Sequence, residues 1–161
     1  MAYTFTRPIL QDGGVDDSVI SALLLTFGLA GICGSFIAGA LIAKRLRQTV
    51  MGICVVLALT MPLLALVGDS AVSASTILIL WGLGYGAVPV TFQTWILDAA
   101  PDTSEAASSL YVSTVNLSIA LGALFGGLAV DTIATTSVLW IGAALALLAL
   151  PVVGLRKRPV S

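Results

Sequence analysis

The chain has 161 residues, 58% of them hydrophobic and 9% charged, with a net charge of −1 and no histidine. Its mean hydropathy of +1.09 means more apolar surface than a soluble domain of this size can bury, so it reads as a polytopic membrane protein. The lack of histidine excludes His-based triads, haem ligation by His and the usual zinc sites, and the near-neutral charge excludes a general nucleic-acid binder. No nucleophile–base pair or metal cluster is recognisable, so neither an enzyme nor a bound metal or cofactor is expected. Cys33 and Cys54 lie in apolar stretches and read as small buried residues, not as a disulfide.

In chain order, Tyr3-Thr-Phe-Thr-Arg-Pro-Ile-Leu10 is too short to cross a bilayer and lacks the basic start and apolar core of a signal peptide. It reads as the last turns of a helix that begins upstream, with a polar linker through residue 18. Asp17 or Ser18 can cap a helix over about 19–43, on which Ser21, Gly28, Gly31, Ser35 and Gly39 form a small-residue stripe. Lys44-Arg-Leu-Arg47 ends that span. The segment 50–67 is plain Val, Leu, Ala and Ile with one proline, Pro62, and reads as a supporting, lipid-facing helix.

The spans expected at 76–97 and 106–130 are different. Each has about 20 uncharged residues, enough at ~1.5 Å per residue to cross a hydrocarbon core of roughly 30 Å. Gly82, Gly86, Pro89 and Gln93 share a face of the first, and a proline there removes a helical hydrogen bond. Asp102-Thr-Ser-Glu105 has the pattern of a capping box opening the second. Ser109, Ser113, Asn116 and Ala120 line one face of that helix; Ser118, Gly122 and Gly126 form a separate close-packing stripe. Gln93 and Asn116 are the leading substrate contacts, with a hydrogen bond between helices as the alternative role. Tyr85 and Trp81 can stack a planar ring, while Trp81 and Trp95 also suit membrane-interface anchors. A last plain span covers 137–155, followed by Arg156-Lys-Arg158.

Six of the seven basic residues sit in the two clusters, Lys44 to Arg47 and Arg156 to Arg158. Four spans separate them, so both fall on one side, which the positive-inside rule makes cytoplasmic. A shift of about 88 positions lays Gly34-Ser-Phe-Ile-Ala-Gly39 on Gly122-Ala-Leu-Phe-Gly-Gly127, and Leu57-Ala-Leu59 on Leu145-Ala-Leu147. The two copies cross the membrane in opposite senses, the inverted repeat of many secondary transporters. No acid or base lies deep in a span, so a proton-coupling group is not expected within these residues.

At this point the chain resembles the C-terminal half of a major facilitator superfamily transporter, in the drug/proton antiporter group that includes sugar and nucleoside efflux permeases. The resemblance covers essentially every residue. It is carried by Tyr3 to Leu10, by Leu80-Trp-Gly-Leu-Gly-Tyr-Gly-Ala-Val-Pro89 with Gln93-Thr-Trp95, and by Leu121-Gly-Ala-Leu-Phe-Gly-Gly-Leu-Ala-Val-Asp131. It implies an all-α membrane helix bundle of five complete transmembrane helices plus the end of a sixth, half of a twelve-helix fold. Residues 1–18 are then a helix end and an extracellular linker, and 19–161 the C-terminal bundle. The family's cytoplasmic loop motif, Gly-x-Leu-Ala-Asp-Arg-x-Gly-Arg-Lys, keeps Gly39, Leu41 and Arg47, with Lys44 for the first Arg. Ala43 stands where the motif has its acid.

The expected function is secondary-active efflux of a small organic solute across the cell (inner) membrane, with the C-terminus cytoplasmic. Its partners are the lipid bilayer and a missing N-terminal six-helix bundle, without which the chain is inactive. Gln93, Asn116, Tyr85 and Ser113 are the substrate-binding candidates. Gly39, Arg47, Gly82, Gly86, Pro89, Gly122 and Gly126 are the packing and gating candidates. The alternative is a small structural membrane subunit that pairs through its glycine stripes and transports nothing.

Overall fold

The computed structural model describes residues 17–67 and 70–155. The Tyr3–Leu10 stretch and the basic cluster Arg156 to Arg158 lie outside them. The described chain is all helical: α1 (Asp17–Val67), α2 (Ala71–Ala99), a 3-10 turn (Pro101–Thr103), α3 (Ser104–Thr132) and α4 (Ser137–Leu155). All four α-helices are long and apolar enough to cross a membrane.

The first is not one rod. Arg45 leaves the helical conformation (φ −151°, ψ 52°), dividing α1 into arm one, residues 17–44, and arm two, residues 46–67. The chain folds back at this elbow, since Ile20 near the start of arm one and Leu64 near the end of arm two share one buried cluster. At the elbow Arg45 donates to Gln48 Oε1 at 3.1 Å and Thr49 Oγ1 donates to the Arg45 carbonyl at 3.1 Å.

Arm two has two faces. Val50, Ile53, Cys54, Ala58 and Leu64 are buried, while Met51, Val55, Leu59, Leu63 and Leu66 are exposed. It packs with one face among three neighbours and leaves the other, apolar face exposed. At the end far from the elbow, Leu64 meets Ile77, Leu78 and Trp81 of α2 and Val138 and Leu139 of α4. At the elbow end, Val50 and Cys54 meet Val153 of α4, with Phe92 and Trp95 of α2 against them. Helices α2 and α4 therefore both run antiparallel to arm two.

Helix ends are set locally. Ser70 caps α2 by accepting from the Ser73 N–H at 3.2 Å, satisfying one of the orphan donors of the first turn. The capping box expected for α3 does not form: Thr103 holds the cap position without a side-chain hydrogen bond, and the 3-10 turn precedes it. At the last corner Ser137 Oγ donates to the Ala129 carbonyl at 3.2 Å.

Two aromatic and cysteine expectations also change. Trp81 is no interface anchor but a core residue, 1% exposed, with its ring edge-on to Phe27 at 5.6 Å. Cys54 is buried, whereas Cys33 is exposed.

Candidate functional site

Arm one and α2 approach each other backbone to backbone. A Cβ built on Gly34 would lie 2.1 Å from the Leu83 carbonyl oxygen, and one on Gly86 only 2.0 Å from the Gly31 oxygen. One on Gly82 would come within 2.5 Å of the Phe27 oxygen. Only hydrogen fits at these points, so the two backbones touch directly, as helices do in lipid where dispersion and polar contacts replace the hydrophobic drive. Ser35 Oγ completes the crossing, donating to the Gly86 carbonyl at 2.8 Å and lying 3.1 Å from the Gly31 carbonyl. The predicted small-residue stripe thus contributes Gly31 and Ser35. Gly28 and Gly39 face open space, and Gly34, noted in sequence only as part of the repeat, does more than either. It stands three residues from Gly31 and one before Ser35, a spacing that could have flagged it.

One turn further along α2 is Pro89. It has no N–H, so the helical bond to the Tyr85 carbonyl is not made. Pro89 and Gln93 are both exposed. The Pro89 carbonyl accepts a hydrogen bond from Tyr111 of α3 at 3.4 Å, a residue that no spacing or motif had singled out. Tyr85 is 47% exposed, its ring tilted against buried Phe27 at 5.9 Å.

Helix α3 is attached mainly near its ends, through Ala107 and through Gly126 and Ala129, its buried residues. At about 100° per residue, these share one side of the helix with Tyr111, Ser118 and Gly122. The small-residue stripe is therefore the side turned to the bundle, with Gly126 buried and Gly122 half-buried. Ser109, Ser113 and Asn116 lie about half a turn round and are all exposed. Ser113 Oγ donates to the Ser109 carbonyl at 2.8 Å, which leaves its lone pairs as acceptors for anything outside. Neither Gln93 nor Asn116 makes a side-chain hydrogen bond to another helix among the described residues. The two amides do not face one another: Gln93 is on the α2 side that meets Tyr111, and Asn116 is on the far side of α3.

At the elbow end, Gly39 is exposed and Arg47 Nη2 donates to the carbonyl of Gly154 in the last turn of α4. A cation from arm two thereby caps a helix C-terminus that has no basic residue of its own in that turn.

The comparisons with known proteins agree with this architecture. The chain is 34% identical over 149 residues to the purine ribonucleoside efflux pump NepI of Escherichia coli O1:K1 / APEC, a match covering 91% of the chain and 37% of that protein. The pumps of the same name from Escherichia coli strain K12 and Shigella flexneri are each 33% identical over the same coverage. The chain thus spans little more than a third of the length of these relatives. The family model for the Major Facilitator Superfamily matches residues 1–161, and the chain is a multi-pass membrane protein belonging to that superfamily.

Proposed function

We propose that these residues form the C-terminal half of a secondary-active efflux transporter for a small organic solute. The two arms of α1 act as separate spans, so that with α2, α3 and α4 five helices cross the membrane and residues 3–10 end a sixth. They rock against an N-terminal six-helix bundle, alternately opening a path at the midplane to either side, and are inactive without it. The elbow, which gathers Lys44, Arg45 and Arg47, is the cytoplasmic end in the inner membrane by the positive-inside rule, and the C-terminus lies on the same side.

The observation that carries this reading is the direction of α3's polar face. Exposed Leu and Phe are at home in lipid; an unpaired amide is not, because hydrocarbon offers it no partner. Ser113 and Asn116 point away from the described helices, so something wet or polar must lie there. A solute path between two half-transporters supplies it. In this arrangement Asn116 hydrogen-bonds the solute and Ser113 accepts from it, while Gln93 and Tyr85, on the α2 side of α3, line a separate stretch of the path. Since the relatives are named as purine ribonucleoside pumps, a solute with a flat ring and hydroxyls fits such a set.

The internal repeat supports a further helix beside α3. The row Ala30, Gly34 and Ala38 faces α2, and the same shift places Ser118, Gly122 and Gly126 on α3 as its counterpart.

The test is export by the full-length polypeptide. Gln93→Ala and Asn116→Ala should cut export of a purine ribonucleoside well below the loss in protein level. Export and level falling together would assign both amides to packing. The same polar face would also suit a non-transporting subunit that docks another helix; wild-type full-length protein that exports no solute in vesicles would favour that role. For topology, a cysteine at Arg45 should label only from the cytoplasm and one at Ser73 only from outside.

A further inference from the structure

We propose that Ser109 and Ser113 of α3 accept hydrogen bonds from hydroxyl groups of the exported solute, which makes this half of the path selective for an uncharged, hydroxyl-bearing molecule such as a ribonucleoside. This rests on the transport reading above, in which that face of α3 lines the path.

The hydroxyl protons on this face are already engaged. Ser109 Oγ donates to the Glu105 carbonyl at 3.0 Å, and Ser113 Oγ donates to the Ser109 carbonyl at 2.8 Å. A serine hydroxyl has one proton and two lone pairs, so each side chain is left with acceptor capacity alone. To donate to a solute it would have to give up the bond to its own helix, whereas accepting from one leaves that bond in place. Ser35 shows the contrast. It faces another helix, and its proton goes across to the Gly86 carbonyl at 2.8 Å.

The row continues in the same sense toward the start of α3, its cytoplasmic end on this reading. Glu105 lies one turn before Ser109, in the first turn of the helix, and is exposed; a carboxylate also only accepts. At about 100° per residue, Glu105, Ser109, Ser113 and Asn116 fall within roughly 80° of one another. Three acceptors therefore stand ~6 Å apart along the axis, with the Asn116 amide ~4.5 Å beyond the last. The amide both donates and accepts, so it can meet either kind of group on the solute. Over the two turns before it, an O–H finds a partner at each step. A phosphate meets lone pair against lone pair there, and the Glu105 carboxylate repels its charge.

The experiment compares two solutes on the same protein, so that differences in protein level cancel. Uptake into energised inside-out membrane vesicles carrying the full-length polypeptide reports export, with guanosine and dideoxyguanosine, which lacks both hydroxyls of the ribose ring, as probes. In the wild type kcat/KM for guanosine should exceed that for dideoxyguanosine by about tenfold, roughly threefold for each neutral hydrogen bond lost. Ser109→Ala combined with Ser113→Ala should bring the ratio within about twofold of unity by slowing guanosine alone. Each single alanine variant should remove about threefold of the preference, which keeps the test open should the double variant fail to reach the membrane. Ser113→Thr retains the hydroxyl and should retain the preference. Guanosine monophosphate should leave guanosine uptake unchanged at concentrations where unlabelled guanosine abolishes it. Equal uptake of the two probes by the wild type, a preference that survives both alanines, or competition by the monophosphate as strong as by guanosine overturns the role of the serines and leaves the transport reading intact. No guanosine uptake by the wild type removes the ribonucleoside transport reading, and the inference falls with it.

Discussion

Arm one and α3 are related by the internal shift and carry matching small-residue rows, yet they are held quite differently. Arm one buries Ile20, Leu23, Phe27, Ala30 and Ala38 along nearly its whole length, and two of its glycines touch the α2 backbone. In α3 only 11% of the most apolar window is buried, against 39% in α1, so α3 draws little of its place from contacts with these helices. In water such a helix would be a defect. In lipid it is not, because Leu110, Leu117 and Leu124 lose nothing by facing acyl chains. What separates the regions is the polar content of the exposed side: arm one shows lipid Leu25, Leu29 and Phe36, whereas α3 shows Ser109, Ser113 and Asn116. On the transport reading proposed above, one is a scaffold and the other a wall.

The surest way to break the scaffold is at the backbone crossing. In Gly86→Val the new side chain meets the Gly31 carbonyl, an atom that cannot swing aside. Overpacking costs commonly about 1–3 kcal/mol, and this clash with backbone belongs at the upper end or beyond. Thermal unfolding of the full-length polypeptide in detergent should show the largest loss of any single change here, with loss of export following. A variant as stable as wild type would mean that arm one and α2 do not cross at these glycines.

A second variant should change stability in the opposite direction. Thr91 of α2 is fully buried and its Oγ1 has no hydrogen-bond partner among the described residues. Thr91→Val keeps the shape and removes the stranded hydroxyl, whose burial costs about 1–3 kcal/mol. A gain of about 1 kcal/mol is expected from the same unfolding measurement, and a loss would reveal a partner for the hydroxyl. Ser35→Ala removes one interhelical bond in a lipid setting, worth typically about 0.6 kcal/mol. It should therefore lower stability slightly and measurably less than Gly86→Val, since the glycines still let the backbones meet.

The pattern of these effects also marks what was readable in the sequence. The apolar stretches at 76–97, 106–130 and 137–155 fall within α2, α3 and α4, because an uncharged run of that length has few other ways to satisfy its backbone. The bend at Arg45 was legible as the charged Lys44 to Arg47 break between two apolar runs. Individual partners were less legible. Spacing placed Gly28 and Gly39 on the same stripe as Gly31, but helices cross and diverge, so a stripe meets its neighbour over only a few turns. Trp81 suited an interface because tryptophan often has a polar partner there; its burial beside Phe27 depends on the fold-back of arm two, which no local pattern encodes. Tyr111 was missed for a similar reason, its acceptor being a backbone carbonyl on another helix.

The smallest expected effect sharpens that point. Gly28 belongs to the predicted stripe but would place its Cβ in open space. Gly28→Val should move stability by no more than about 0.5 kcal/mol, the range of substitutions that disturb no contact, while Gly34→Val, six residues away on the same arm, drives a side chain into the Leu83 carbonyl. The pair holds residue type, helix and membrane environment nearly constant and varies only the neighbour. In the full-length polypeptide the two should separate by about 2 kcal/mol or more, given typical overpacking costs. If Gly28→Val instead proves as damaging as Gly34→Val, a helix outside the described residues covers the open side of arm one, and arm one becomes a wall like α3.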